Sequence, residues 1–354
     1  MTLTQATTAG TAAPTGRQFR ISAESETDGR VVAAVITEVG GTIRSLTVDG
    51  EPLIEEFPEF GLPKHCEGEI LIPWSNRVRD GRWPHDGKEL QLAISEPGRG
   101  NAIHGLVRLR PHTMVRRSAS ELTLHVRIYP SDGYPFAVDV ETTYSVSPEG
   151  LAVTHALTNK SAKPAPVAIG SHPYMRVGAT PMQDVSLTIN AASYVVVDER
   201  LNPVGTSPVS GTPMDLSAGP KVGWLHLDTA FLDLTPAPDG MYRHLLEAPN
   251  GDAVEVWGDA NYQYAQVYTT TSYPAGGHRT AVAVEPMTAL PNAFNSGAGL
   301  RWLEPGRNGS RPGGFHTGSA PHRATTIEER TDHGMASNWR SRLHRLPRSP
   351  STHG

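Results

Sequence analysis

A single cysteine, Cys66, in 354 residues excludes an intrachain disulfide and fits a reducing compartment. No apolar run approaches the roughly 18 to 20 residues that a membrane helix needs. The opening stretch Met1–Gly16 is rich in Thr and Ala and lacks both a basic start and an apolar block, so it does not read as a secretion signal. A cytoplasmic protein with no membrane partner is the expectation. There is no Gly-rich phosphate loop and no clustered cysteine–histidine spacing. No stretch sustains a 3.6-residue period, so long helices are not expected.

Charge is unevenly distributed. From Gly306 onward eight arginines face three acids, a net +5 in a chain of −5 overall, so residues 1–305 carry −10. An acidic body argues against nucleic acid as a partner. The basic end is rich in Pro, Gly, Ser and His, a composition that reads as a disordered tail.

What the chain does have is alternation and turns. Leu122–Ile128 and Phe136–Val146 alternate apolar and polar residues strictly, as half-buried antiparallel strands do. Gly (35) and Pro (30) are frequent, and Asp49-Gly50, Asp86-Gly87, Asp132-Gly133 and Asn250-Gly251 punctuate the strands as turns. Short strands with frequent turns predict an all-β fold, a large antiparallel β-sandwich. The expected organisation is a flexible leader over residues 1–17, one β domain over 18–305 and a tail over 306–354.

Two segments place a proton-transfer residue at the end of an apolar run. His172 follows Val167-Ala-Ile169 and precedes Pro173, and Glu285 follows Ala281-Val-Ala-Val284 and precedes Pro286. Histidine is an acid near neutral pH, and a partly buried carboxylate is a tuned base. Each also has a plainer reading: a hydrogen-bonded core histidine, and a strand-end carboxylate paired with an arginine. His104 sits beside Gly105, which permits close backbone approach. Asn76-Arg77 adds an amide and a guanidinium fork, and Asp228 and Gln266 add polar groups on strand patterns. Trp74, Trp83, Tyr174 and Phe294 flank these segments as candidates for stacking on a sugar, or as core. The set suits acid/base chemistry on a polar, uncharged substrate. Two histidines and a carboxylate also form iron sites, but those use a close His-x-Asp/Glu pair, and here the candidates are far apart.

Seven segments in order resemble the aldose 1-epimerase (mutarotase) family: Pro73–Arg82, Asn101–Gly105, Asp132–Pro135, Gly170–Tyr174, Leu227–Phe231, Gln266–Thr269 and Val284–Thr288 with Pro291–Gly297. The resemblance covers about residues 18 to 305, and its Asn-Arg-Val-Arg-Asp-Gly-Arg form is similar to the bacterial branch. It implies the galactose mutarotase-like supersandwich and an isomerase of carbohydrate metabolism that interconverts the α and β anomers of a free aldohexose. It implies Glu285 as general base and His172 as general acid, with Asn76, Arg77, His104, Asp228 and Gln266 binding the sugar. No metal or organic cofactor is implied, and the expected partner is a small sugar, with the chain a monomer or homodimer. Two alternatives stay open: an epimerase of a phosphorylated or sulfonated hexose, for which Arg79, Arg82 and Arg108 are candidate anion binders, and a non-catalytic sugar-binding protein. Family members end on a strand soon after a Pro-Gly turn. After Pro305-Gly306, Ala324–Ile327 is the candidate for it, or the sheet lacks it.

Overall fold

The computed structural model describes residues 13–274, 278–306 and 315–323. Every pairing among its strands is antiparallel, as the alternation predicts. One eight-stranded sheet runs, in spatial order, Thr113–Arg117, Glu121–Ile128, Val138–Ser147, Gly150–Asn159, Phe315–Arg323, Asp252–Gly258, Tyr242–Glu247 and Ser186–Ile189. A second runs Pro203–Pro208, Ala191–Val197, Asp228–Leu234, Tyr264–Pro274, His278–Met287, Gly170–His172 and Glu69–Leu71, with Tyr174–Met175 also paired to His278–Met287. A four-stranded sheet of Gln18–Glu24, Val31–Thr37, Ile43–Val48 and Glu51–Pro52 adds to the body.

Alternation decides which face each residue takes. In Val138–Ser147 the buried positions are every second residue, and Val138, Val140 and Tyr144 enter the core. One hydrophobic cluster joins these to Leu124 and Leu157 of the first sheet and to Phe231, Val267 and Val284 of the second. The chain is therefore an all-β sandwich whose sheets bury their inner faces together. Trp83, Trp74 and Phe294 belong to this core rather than to a sugar platform. Ring centroids lie 4.9 Å apart for Trp83–Phe294 and 5.5 Å for Trp74–Phe294, and Trp83 Nε1 donates to the Gly133 carbonyl at 2.8 Å.

Both expected boundaries shift. Thr15 is buried and its carbonyl accepts from Val39 N at 2.9 Å, while Arg17 pairs with Glu38, so the leader packs on the domain from Thr15 onward. At the other end Phe315–Arg323 is a strand inside the first sheet, between Gly150–Asn159 and Asp252–Gly258. This corrects the reading of everything after residue 305 as a tail. Ala324–Ile327, the expected strand, lies outside the described residues.

A buried histidine on the first sheet gives the fold a pH dependence. His244, on Tyr242–Glu247, is 3% exposed, and its Nδ1 has no hydrogen-bond partner among the described residues. Burial pushes its imidazole down to about 4 from the ordinary 6.5. The unfolded chain therefore binds the extra proton first. The stability held by neutral His244 is fully present above about pH 6.5 and is lost as pH falls toward about 4. Between pH 7 and pH 5 the His244→Leu variant is expected to lose about 2 kcal/mol less stability than the wild type, roughly 4 to 8 °C in melting temperature. Parallel melting curves of the two proteins at both pH values check this; equal losses contradict it.

Candidate active site

The period of two also aims the polar candidates. Along His278–Met287, Val282 and Val284 enter the large core, whereas Ala281 and Ala283 pack with Tyr174 and Tyr273 on the opposite face. Glu285 shares the parity of Ala281 and Ala283, so it faces that second side. On the neighbouring strand Tyr264–Pro274, Ala265 and Val267 enter the core and Gln266 stands directly across from Glu285. Asp228 opposes Tyr268, one step diagonal from Gln266, and Gln266 Nε2 donates to Asp228 Oδ1 at 2.6 Å.

A short ladder brings in the next pair. Arg77–Val78 pairs with Ala102–Ile103, and His104 N donates to the Asn76 carbonyl at 3.0 Å. Asn76 and His104 both take left-handed backbone, with φ of 54° and 63°, the kind of local strain found at functional sites. The close approach expected beside His104 is made by Gly105, where a Cβ would meet the Ile72 carbonyl oxygen at 2.2 Å. Gly170–His172 pairs with both Glu69–Leu71 and His278–Met287, which sets His172 at the same opening.

The result is a cleft of ≈ 210 Å³ lined by Asn76, Arg77, His104, His172, Asp228 and Glu285, with Gln266 behind Asp228. All seven residues singled out from the sequence meet here. His65, Cys66, Tyr174, Tyr268, Arg99 and Ile103 complete the wall. Of these, Tyr174 stands out in the sequence as an aromatic candidate, and Ile103 and Tyr268 fall inside the quoted segments Asn101–Gly105 and Gln266–Thr269. His65 and Cys66 sit on an irregular segment, and Arg99 sits on a loop whose Pro97-Gly98 signals a turn and nothing more. A wider hollow of ≈ 640 Å³ lies by Asp80 and Arg82, whose charges are already paired with Arg200 and Glu89.

The chemical centre is His172 and Glu285. His172 Nε2 lies 3.3 Å from Glu285 Oε1, and the two are 6% and 2% exposed. His172 Nδ1 and Glu285 Oε2 have no hydrogen-bond partner among the described residues. Burial lowers the His172 imidazole to about 4. Burial, then the Asp228 charge, raises the Glu285 carboxyl well above the ordinary range, against a pull downward from Arg77. Both groups are thus driven toward neutral forms, and together they hold one proton, which is also the count of an imidazolium–carboxylate pair. His104 stands edge-on to His172, centroids 5.4 Å apart, and burial keeps its imidazole well below its ordinary value and hence neutral.

Arg77 is 7% exposed, and three acids face it. Its Nε and Nη2 donate to Glu96 at 2.9 and 3.0 Å, and Nη2 lies 3.6 Å from Asp228 Oδ2. Burial opposes its charge, but the Glu96 hydrogen bonds and the Asp228 charge outweigh that, and the guanidinium is held above its ordinary range. The three arginines considered for an anionic group do not line the cleft. Arg79 pairs with Asp198, Arg82 with Glu89 and Arg108 with the fully buried Glu69. Among the described residues no group of three or more His, Cys, Asp or Glu side chains is arranged to hold a metal ion.

Known proteins share both the fold and the sequence pattern. The C. elegans GalM/aldose epimerase homologue superposes with a TM-score of 0.73 at 18% identity, over 87% of this chain and all of the other. Galactose 1-epimerase from Lactobacillus acidophilus superposes with a TM-score of 0.66 at 18% identity, over 86% of this chain and 98% of the other. These likenesses establish the galactose mutarotase-like fold. The uncharacterized protein YihR of Escherichia coli K12 is 31% identical over 275 residues, 77% of this chain and 86% of YihR. Human galactose mutarotase is 34% identical over 164 residues, 44% of this chain and 46% of that protein. The family model for aldose 1-epimerase matches residues 25–310, and the chain belongs to the aldose 1-epimerase family.

Proposed function

We propose that the protein is a mutarotase, an isomerase that interconverts the α and β anomers of a free aldohexose. The observation that carries this reading is the buried His172–Glu285 pair, 3.3 Å apart, with one open position on each partner. A protein that only bound sugar would gain nothing from an acid and a base placed in contact. In the reaction Glu285 takes the proton of the C1 hydroxyl as the C1–ring oxygen bond breaks. The bonding electrons go to the ring oxygen, and His172 delivers a proton to it. The open aldehyde rotates about C1–C2 and closes from the other face, returning both protons. Arg77 draws Glu285 toward its ionised form, and with Asn76, His104, Asp228 and Gln266 it binds and orients the hydroxyls. No step calls for a redox change or an organic cofactor.

The active pair holds a single proton, which fixes the pH profile. A second proton enters as pH falls through about 4, the value for His172, and it leaves no base. The single proton is held to higher pH than an ordinary carboxyl would hold it, because burial raises Glu285 well above its ordinary range. The expected kcat/KM profile is a bell with its acid limb near pH 4 and its alkaline limb set by the raised Glu285 carboxyl. A steep fall already between pH 7 and pH 6 would contradict it.

A second reading, an aldose bearing a phosphate or sulfonate, is favoured by one feature: Arg99 at the mouth of the cleft, with a side chain 45% exposed. Rates of change of optical rotation for fresh α-D-glucose, α-D-galactose and glucose 6-phosphate separate the two. A free-aldohexose mutarotase accelerates the neutral sugars more.

A further inference from the structure

Nothing in the sequence marks Glu96, which belongs to no motif and lies outside the seven candidate residues, yet it grips Arg77 of the cleft wall with both carboxylate oxygens. Its two carboxylate oxygens take two parallel hydrogen bonds from Arg77 Nε and Nη2, at 2.9 and 3.0 Å. This fork geometry fixes a guanidinium in its plane as well as in position. Glu96 is itself held. It forms a backbone bridge to Asn101, with N–H···O distances of 3.0 and 3.3 Å in the two directions. Arg99 N donates to the Glu96 carbonyl at 3.1 Å, and Arg99 Nη1 donates to Oε1 at 3.0 Å. The loop so closed is tied down by Arg200, which donates to the carbonyls of Arg99 and Gly100 at 2.8 and 3.2 Å.

The need for such a hold follows from the surroundings of Arg77. Its guanidinium has three acids as possible partners: Glu96, Asp228 and Glu285. An arginine has several rotatable bonds, and in a desolvated cleft its strongest attraction is to a bare carboxylate oxygen. Glu285 Oε2, buried and without a hydrogen-bond partner among the described residues, is such an atom whenever the pair's one proton sits on His172. An Arg77 free to turn would close onto Glu285, and a base locked in that ion pair is a poor proton acceptor.

We propose that Glu96 is the positioning residue of this cleft: its fork holds Arg77 against Asp228 and keeps the guanidinium off Glu285, so that the base stays open to substrate. This rests on the reading of the cleft as a mutarotase site. It adds a role to a residue that touches neither the sugar nor the reacting atoms.

The test compares Glu96→Gln and Glu96→Asp with the wild type, followed by the double variant of Glu96→Gln with Arg77→Gln. Glu96→Gln is expected to lower kcat roughly 10- to 100-fold with a smaller change in KM, while the melting temperature moves by only a few degrees. The alkaline limb of the pH–rate profile moves to lower pH, because Arg77 closing on Glu285 favours the carboxylate. A loss of packing alone does not move that limb. Glu96→Asp, which keeps the carboxylate, recovers part of kcat. The double variant loses no more than Arg77→Gln alone, since the fork acts only through Arg77. Wild-type kcat with an unmoved alkaline limb in Glu96→Gln, or losses that add in full in the double variant, overturns the proposal.

A readout independent of turnover separates this from a failure of the mutarotase reading. In protein labelled with ¹⁵N-arginine, the Arg77 Nε–H signal, assigned by its absence in Arg77→Gln, is expected to be protected from solvent exchange in the wild type and to lose that protection in Glu96→Gln. Protection that persists in Glu96→Gln contradicts the proposal even if no sugar is turned over.

Discussion

Glu285→Gln is expected to lower kcat for anomer interconversion by at least about 10²-fold, the usual size of a lost acid–base contribution. The amide has the shape of the carboxyl but cannot take the C1 hydroxyl proton. The environment adds a second expectation of opposite sign. Glu285 is 2% exposed, and burial raises its folded value well above its unfolded one. A group raised in this way stabilises the fold below its unfolded pKa, and that contribution is lost as pH rises through the folded value. At pH 8 the glutamine variant should therefore melt no lower than the wild type while being nearly inactive. A variant both inactive and poorly folded would point to a structural glutamate. His172→Asn is expected to cost a similar factor, since it leaves the ring oxygen without a proton donor.

Ending the chain at Gly306 is expected to abolish folding. The strand Phe315–Arg323 is not an edge. It pairs along Leu151–His155 on one side and Asp252–Gly258 on the other. Its removal strips the backbone partners from two strands in the middle of the sheet and leaves two unprotected edges facing each other. The truncated protein should be insoluble or lack a cooperative melting transition, and co-expression of a peptide spanning 307–330 should restore some soluble protein. A soluble truncated chain with wild-type melting would remove this strand from the account.

That strand also marks where the sequence stops being readable. Phe315–Arg323 carries Gly318 and Pro321, and a proline lacks the N–H that an internal strand needs, so the segment argues locally against its own place. Pairing on both sides overrides that local signal. Val138–Ser147 and Gly150–Asn159 lie at the other extreme, because one face of each meets the core and the alternation is written in the residues. The site divides in the same way. Glu285 and His172 stand out because each ends an apolar run before a proline, and Gln266 because it alternates with core residues on its own strand. Glu96 does not, since its value lies wholly in an arginine 19 positions away. Trp74 and Trp83 were legible as large aromatics near the motifs, but only the packing against Phe294 decides that they fill the core.

The most direct measurement is the decay of optical rotation of fresh α-D-glucose, α-D-galactose and a small panel of related sugars, with wild type and Glu285→Gln side by side at neutral pH. The wild type is expected to accelerate the decay with at least one sugar, and the variant, folded by its melting curve, scarcely to exceed the uncatalysed rate. A folded wild type that accelerates none of them, or a glutamine variant as fast as the wild type, would contradict that expectation.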